Sequence, residues 1–463
     1  MFKLGSLAAG LAVVLAAAAG TVGLSGCSSD YDGYGWSQPA TEPQPMPANG
    51  SLSDEQKEKL LDRVTEMVRE RAFASGVNFD KWPDHLKKHQ ASLDRATNMT
   101  QFSTAVNRAL NEFGISHIDF MTPRAAQMQH APTFGGIGIT RDQQQTEAGI
   151  KIIEVREGGP AAKAGLRVGD VIVEVDGKKY AYDAIRGEVG SEVVLKVLRA
   201  DSGKVEEFKI KRALLNQAQP PRLIKVTDEA AVVRLDSFTE GYDQDVVKKV
   251  MTKAADYPYL VIDLRSNGGG SVTNFINFLS TLLPKGTDVG TFISRDMVER
   301  YQRSLEQDGE AREENPDPVK IAAWSPRKVQ IKKNMVTPYP GKVAVLINRG
   351  SASASEIVAA AMRELRDAPL VGDRSAGAVL MSQYVKMDDG FEMKVPTSDY
   401  VTIKGLRIEG SPLQPDVKIG GARRSISSSY AEDKAVLAAI DALRAMSGEH
   451  AEEGVKAAEG DGK

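Results

Sequence analysis

The feature that most constrains this chain is a junction. The apolar run Lys342-Val-Ala-Val-Leu-Ile347 is followed by Gly350-Ser351-Ala352-Ser353-Ala354-Ser355-Glu356 and then by Ile357-Val-Ala-Ala-Ala-Met362. The first run predicts a buried strand and the last a helix. Serines between a strand end and a helix start sit where a nucleophile can be exposed. The free N–H groups of the helix start favour negative charge there. The same serines could equally cap the helix and fill a small-residue contact, and the junction alone does not choose.

The surroundings give the junction a setting. Short apolar runs at 231–235, 260–264, 343–347 and 369–372 alternate with helical patterns near 243–255 and 272–283. That alternation predicts a mixed sheet with crossover helices. The stretch 300–336 mixes Glu, Asp, Arg and Lys and reads as a surface insertion over a cleft; a helix over 432–445 closes the body.

A chain of 463 residues can bury a large core in two or three domains. Its net charge of −3 argues against a nucleic-acid or membrane-surface partner, and 6% aromatic residues leave no stacking platform for bases. Upstream, 52–113 reads as helical. Ser53 or Asp54 can cap a helix carrying Leu60, Leu61, Val64 and Met67, and Asn98 opens another carrying Phe102, Val106, Leu110 and Phe113. The pattern breaks at Gly114, and Ile115-Ser116-His117-Ile118-Asp119-Phe120 leads into a strand or loop.

The first residues read as a leader: a positive start at Met1-Phe-Lys3, an apolar stretch over 7–24, then Leu24-Ser25-Gly26-Cys27. This resembles the lipobox of bacterial lipoproteins. The resemblance implies cleavage before Cys27 and lipidation of its thiol; an ordinary secretory leader with an incidental cysteine is the other reading. Cys27 is the only cysteine, so no disulfide is expected. No later apolar run reaches the ~18 residues a membrane span needs. Residues 28–50, rich in Ser, Pro, Gly and Tyr, read as a tether.

A second unit opens at Phe134-Gly135-Gly136-Ile137-Gly138-Ile139. Strand patterns follow at 151–155, 168–177 and 193–198, with Gly158-Gly-Pro-Ala-Ala-Lys-Ala-Gly-Leu166 as a short helix and turn. These segments resemble the PDZ domain of exported bacterial proteases. The resemblance implies that N–H groups of Gly135, Gly136, Ile137 and Gly138 hold a peptide C-terminal carboxylate while the peptide adds as a strand. Between 177 and 193, where that fold places a full helix, only 181–185 has a weak helical pattern. A structural spacer is the alternative. Asn216-Gln-Ala-Gln-Pro-Pro221 reads as a linker.

Asp263-Leu264-Arg265-Ser266-Asn267-Gly268-Gly269-Gly270 follows a strand pattern and precedes a helix, yet fits neither common phosphate-loop spacing. Glycines in a row let backbone N–H groups approach a ligand closely, which suits an oxyanion. With the serine junction, this motif resembles the C-terminal-processing (tail-specific) serine proteases, a superfamily that includes the archaeal tricorn core protease. The resemblance covers 51–419. It implies an α/β multidomain protein: an N-terminal helical domain (51–130) carrying His117, a PDZ-like β-rich domain (131–215) and a ClpP/crotonase-like α/β protease core (216–430). Around them it leaves a leader (1–26), a tether (27–50), a C-terminal helix (431–447) and a disordered tail (448–463).

The same resemblance makes Ser353 the nucleophile, with the N–H groups of Ala354 and Gly268 as the oxyanion hole. Where many relatives carry a lysine base, in the segment 372–380, this chain has Ala378. The tricorn-like set fits instead: Ser116-His117 before the PDZ-like unit, and Glu409 in Arg407-Ile408-Glu409-Gly410, ahead of Pro415-Asp416. His117 would then be the base, with Ser116 and Glu409 orienting it. A Ser/Lys protease using Lys386 is a third reading. No metal and no other cofactor is implied, since there is no His-Glu-x-x-His and no cysteine cluster. The expected protein is a lipid-anchored serine endopeptidase of the cell envelope, acting on polypeptides recognised at their C-terminus. A non-catalytic peptide-binding lipoprotein of the same fold is the alternative.

Overall fold

A computed structural model describes residues 50–131, 133–146, 148–156, 158–179, 182–216, 218–239, 241–420 and 430–448. The expected leader, Cys27, the tether before residue 50 and the tail beyond 448 lie outside these residues.

The first part holds helices α1 (Asp54–Glu66), α2 (Trp82–Asp94) and α3 (Met99–Asn111), strand β1 (Asp119–Met121) and helix α4 (Pro123–His130). Ser53 starts α1 through a capping box: its hydroxyl accepts from the Gln56 N–H at 3.2 Å, and the Gln56 side chain accepts from the Ser53 N–H at 3.0 Å. The apolar stripe Phe102, Val106 and Leu110 of α3 is fully buried. Asn107 of α3 then clamps Phe120 of β1 from both sides, accepting its N–H at 2.7 Å and donating to its carbonyl at 2.9 Å.

The second part holds β2 (Thr133–Gly136), β3 (Ile139–Thr146), β4 (Gly149–Val155), the one-turn helix α5 (Pro160–Lys163), β5 (Val171–Val175), β6 (Lys178–Lys179), β7 (Glu192–Leu198), β8 (Val205–Lys211) and β9 (Ala213–Asn216). Its main sheet has the order β3-β4-β5-β7-β8, and β2 pairs with β9 in a separate ladder. The alternation of Val193, Leu195 and Val197 puts one face of β7 into a small core with Ile137, Ile152 and Ile172. Where a peptide-groove helix would stand, the chain makes one 3-10 turn, Tyr182–Ile185.

The third part holds β10 (Arg222–Lys225), β11 (Ala230–Arg234), α6 (Gln244–Ala254), β12 (Tyr259–Asp263), α7 (Val272–Leu279), β13 (Asp288–Ser294), α8 (Arg295–Gln307), α9 (Pro318–Trp324), β14 (Val329–Gln330), β15 (Lys342–Ile347), α10 (Ala354–Arg366), β16 (Leu370–Gly372), β17 (Met381–Lys386), β18 (Glu392–Thr402), β19 (Val417–Lys418) and α11 (Lys434–Met446). A six-stranded sheet runs β10-β11-β12-β15-β16-β19, parallel from β11 onward. Apolar residues of α6, α7 and α10 cover one face, and those of α11 cover the other. With both faces covered, every residue of β11 and β12 is buried, which is why these strands read as apolar runs that carry a charge only at their last residues, Arg234 and Asp263. A second sheet has the order β1-β18-β13-β14, with β17 also on β18. Through it β1 joins the core, Asp119 facing Lys394, and Phe120 stacks on Phe391 with ring centroids 5.0 Å apart.

The polar stretch expected as a surface insertion is two helices with a core of their own. Met297 and Tyr301 of α8, one helical turn apart, and Ile321 and Ala322 of α9 are buried with Ile293 and Val401. So few apolar residues are diluted by the charges around them, and their spacing counts for more than their number.

Candidate active site

The glycine loop after β12 rests on buried ions. Arg265 is almost fully buried and holds Asp263 with two bonds, at 2.9 and 2.8 Å, while also reaching Asp433 at 2.9 Å. Arg234 reaches Asp263 at 3.2 Å and donates to the Arg265 carbonyl at 2.6 Å. Burial alone would raise the Asp263 carboxyl; the Arg265 and Arg234 guanidiniums outweigh it and hold the group well below the usual range. On this base Ser266 takes a positive φ of 60°. Asn348 fixes it, accepting from the Ser266 N–H at 2.8 Å.

The loop then meets the serine junction. A Cβ on Gly269 would lie 2.6 Å from the Ser353 Cβ and 2.9 Å from the Ala354 nitrogen, so only glycine permits this approach. A Cβ on the neighbouring Gly268 would meet nothing within 4 Å. Among the described residues, the N–H groups of Gly268 and Ala354 have no hydrogen-bond partner; Ala354 is the first residue of α10, where the N–H is free by geometry. Two unpaired donors near a serine are what an oxyanion site would require.

The three serines of the junction divide their work. Ser351 and Ser355 are fully buried, and their hydroxyls donate to the carbonyls of Leu264 and Asn267 at 2.8 and 2.9 Å. They bind the junction to the glycine loop. Ser353 between them is partly exposed, with φ 56° and ψ −121°. That unfavourable backbone puts its side chain on a sharp strand-to-helix turn.

The loop between α3 and β1 brings the other groups. His117 also has a positive φ, 59°, and is half-buried. Its Nδ1 lies 2.6 Å from the Ser116 Oγ, which donates to Glu409 Oε2 at 2.9 Å. The Ser116 hydrogen is thereby committed to the carboxylate, so Nδ1 carries a proton and donates, leaving Nε2 as the free base. Glu409 also accepts from the N–H groups of Ser116 and Val379, both at 2.8 Å. Ala378, next to Val379, accepts from the Ser353 N–H at 2.8 Å. Ser116, His117, Glu409 and Ser353 are thus tied into one framework. Among the described residues, no hydrogen bond joins the imidazole directly to the Ser353 hydroxyl. Burial first, then the Lys394 ammonium, push the imidazole down to about 3.

Lys386 is exposed at the end of β17, in register with Glu392. The lysine whose charge reaches His117 is Lys394, which the sequence did not single out. In the PDZ region Gly135 and Gly136 lie in the β2–β9 ladder, and the Gly135 carbonyl accepts from the Gly187 N–H at 3.0 Å. Ile137 is buried in that region's core, and the Gly138 carbonyl accepts from the Arg156 N–H at 2.7 Å.

Residues 229–419 match Peptidase family S41, and residues 151–199 match a PDZ domain. The carboxy-terminal-processing protease of Bartonella bacilliformis is 28% identical over 333 residues, covering 68% of this chain and 69% of that protein. These matches support the C-terminal-processing serine protease family for this chain. Another relative, the carboxy-terminal processing protease CtpA of Bacillus subtilis, is 27% identical over 295 residues, 62% of this chain; the match spans 56% of that protein's length. A solved structure of the photosystem II D1 C-terminal processing protease shares the fold, with a TM-score of 0.50, 22% identity, and coverage of 82% of this chain and 99% of that one. Among the described residues, no helix is long and apolar enough to cross a membrane, and no cluster of three or more His, Cys, Asp or Glu could hold a metal.

Proposed function

We propose that this chain is an active endopeptidase working through Ser353, His117, Ser116 and Glu409. The supporting observation is the hydrogen-bonded framework that ties Ser116-His117, through Glu409 and the 378–379 backbone, to a strained serine beside two free N–H groups. His117 Nε2 takes the Ser353 proton as Oγ bonds to the peptide carbonyl carbon. The Gly268 and Ala354 N–H groups stabilise the oxyanion. As the tetrahedral centre collapses, the C–N bond breaks and His117 returns the proton to the leaving nitrogen. Water, deprotonated by His117, then attacks the ester, the ester C–O bond breaks, and the proton passes back to Ser353. Catalytic hydrogen bonds are often long before substrate binds, so the absence of a direct His117–Ser353 bond fits an enzyme at rest.

We further infer an exported, lipid-anchored protein, tethered through Cys27 to a cell-envelope membrane, acting on polypeptides presented by their C-terminus to the Gly135–Gly138 segment of the PDZ domain. The catalytic reading is tested on the full chain with an unfolded polypeptide substrate and a serine-directed phosphonate. Ser353→Ala and His117→Ala are expected to abolish cleavage, while Lys386→Ala retains it. Absence of both hydrolysis and Ser353 labelling in the unaltered protein would favour a peptide-binding role. Membrane-fraction partitioning that survives Cys27→Ala would sink the lipid anchor.

A further inference from the structure

Glu356, three residues after the candidate nucleophile, is completely buried, and the mechanism above gives it no task. Four donors converge on its carboxylate. Oε2 accepts from the N–H groups of Ser353 at 3.2 Å and Ala378 at 2.9 Å; Oε1 accepts from the Gly377 N–H at 2.8 Å and from the Ser375 hydroxyl. The Ser353 bond is one half of a capping box at the start of α10. The other donors belong to a different strand of chain. Residues 375–379 form a strap lying between the nucleophile helix and the segment 409–413.

The far side of the strap is tied as closely. Ser375 and Leu413 exchange two bonds: the Ser375 N–H donates to the Leu413 carbonyl at 3.0 Å, and the Leu413 N–H to the Ser375 hydroxyl at 2.8 Å. The Gly410 N–H donates to the Gly377 carbonyl at 2.9 Å, and the Val379 N–H to Glu409 at 2.8 Å. A Cβ on Gly377 would lie 2.9 Å from the ring of Pro412, so the strap has no slack there. Consecutive N–H groups, Ala378 and Val379, therefore point to two different carboxylates. One belongs to the nucleophile's helix, and the other holds Ser116 and so His117.

We propose that Glu356 is a positioning residue that sets the placement of Ser353 relative to His117 by clamping the 377–378 backbone. The strap includes Ala378, which stands where a base would be borne in lysine-using relatives. Here its backbone connects the nucleophile to a base supplied by another segment. The assignment rests on the catalytic reading of Ser353 and His117, and it adds a residue that touches neither substrate nor reacting atoms.

The clamp has an acid sensitivity that a merely packed side chain lacks. All four groups bonded to Glu356 donate, and no charged side chain is among them; the next carboxylate along the strap, Glu409, faces the Val379 N–H instead. A proton on Glu356 would confront a donor and break one of the bonds. Burial raises this carboxyl above the usual glutamate range, against the bonds from Ser375, Ala378, Gly377 and Ser353.

The test uses Glu356→Gln, of nearly the same size, and Ser375→Ala, which deletes one donor. If clamping matters, Glu356→Gln lowers kcat by about 100-fold with KM within a few-fold, the pattern of a misplaced catalytic group. Ser375→Ala gives a smaller loss in the same direction. The acid limb of the unaltered enzyme lies above the His117 titration, and Glu356→Gln removes that limb. Independently of turnover, Glu356→Gln displaces the His117 ring resonances and speeds amide exchange at 377–379. Unchanged kcat in Glu356→Gln overturns the assignment, as does a rise in KM alone. If Glu356→Gln fails to fold, an unchanged kcat in Ser375→Ala overturns it. If the unaltered protein cleaves nothing, the catalytic reading falls separately, and unmoved His117 resonances in the folded variant overturn the clamp.

Discussion

Ser116 reaches Glu409 across 293 residues of sequence, with its hydroxyl and its backbone N–H each donating to a different carboxylate oxygen, at 2.9 and 2.8 Å. The second bond keeps the loop in place when the first is removed. Ser116→Ala should therefore fold normally and lose only the link that fixes the His117 tautomer. Positioned acid–base catalysis contributes about 10²–10⁴-fold, and kcat should fall toward the lower end of that range with little change in KM. Glu409→Gln should cost more, because it also disturbs the bond to Val379. Steady-state hydrolysis by the two variants checks the order.

The imidazole of His117 is held neutral by its surroundings. Burial and the Lys394 ammonium lower its pKa to about 3, so the ring should stay unprotonated, and competent as a base, down to that pH. Replacing Lys394 by Met removes a like charge and should move the transition upward. Ring resonances followed by NMR from neutral to acid pH measure both values. A transition near the ordinary histidine value of about 6.5 in the unaltered protein would contradict this account.

What the sequence disclosed and what it withheld follow from the range of the forces involved. The serine junction and the glycine loop were legible as places because a strand, a tight turn and a helix start leave local signatures in glycines and small residues, while the roles expected of Ser353, Gly268 and Ala354 within them came from a resemblance. Ser116-His117 and Glu409 became legible through a resemblance alone, since nothing local distinguishes a loop histidine from a structural one. Lys394 was invisible: its position facing Asp119 on one side and Tyr384 on the other depends on the registers of β18 with β1 and β17. Glu356 did carry a signal, the Ser-x-x-Glu spacing of a capping box, but that pattern speaks of a helix end and not of the strap beyond it. The helices α8 and α9 were missed because charged residues outnumber the few that are buried.

The two adjacent glycines of the loop should answer differently to the same substitution. Gly269→Ala would drive a methyl group to 2.6 Å from Ser353 and force an alanine into φ 96°, so loss of Ser353 labelling by a phosphonate is expected. Gly268→Ala meets no atom within 4 Å and keeps the N–H, so labelling should persist. Equal loss in both variants would mean that the loop does not approach the serine as described.

The buried ions behind the glycine loop should set the acid stability of the core. Arg265 is the shared partner of Asp263 and Asp433, and Asp433 also caps α11 by accepting from the Ala435 N–H at 2.9 Å. Replacing Arg265 by Met leaves two buried carboxylates short of a partner, a change that typically costs about 3–5 kcal/mol. The sign of the pH effect follows from Asp263. Its carboxyl is lower in the folded chain than its ordinary value, so it adds stability above that value, and the contribution fades as the pH falls through the folded one. Arg265→Met weakens this depression, so acid unfolding should begin at a higher pH than in the unaltered protein, while the difference in stability is largest near neutrality. Urea unfolding followed at several pH values measures both effects. Equal stability of the two proteins at neutral pH would show that the guanidinium does not carry the loop.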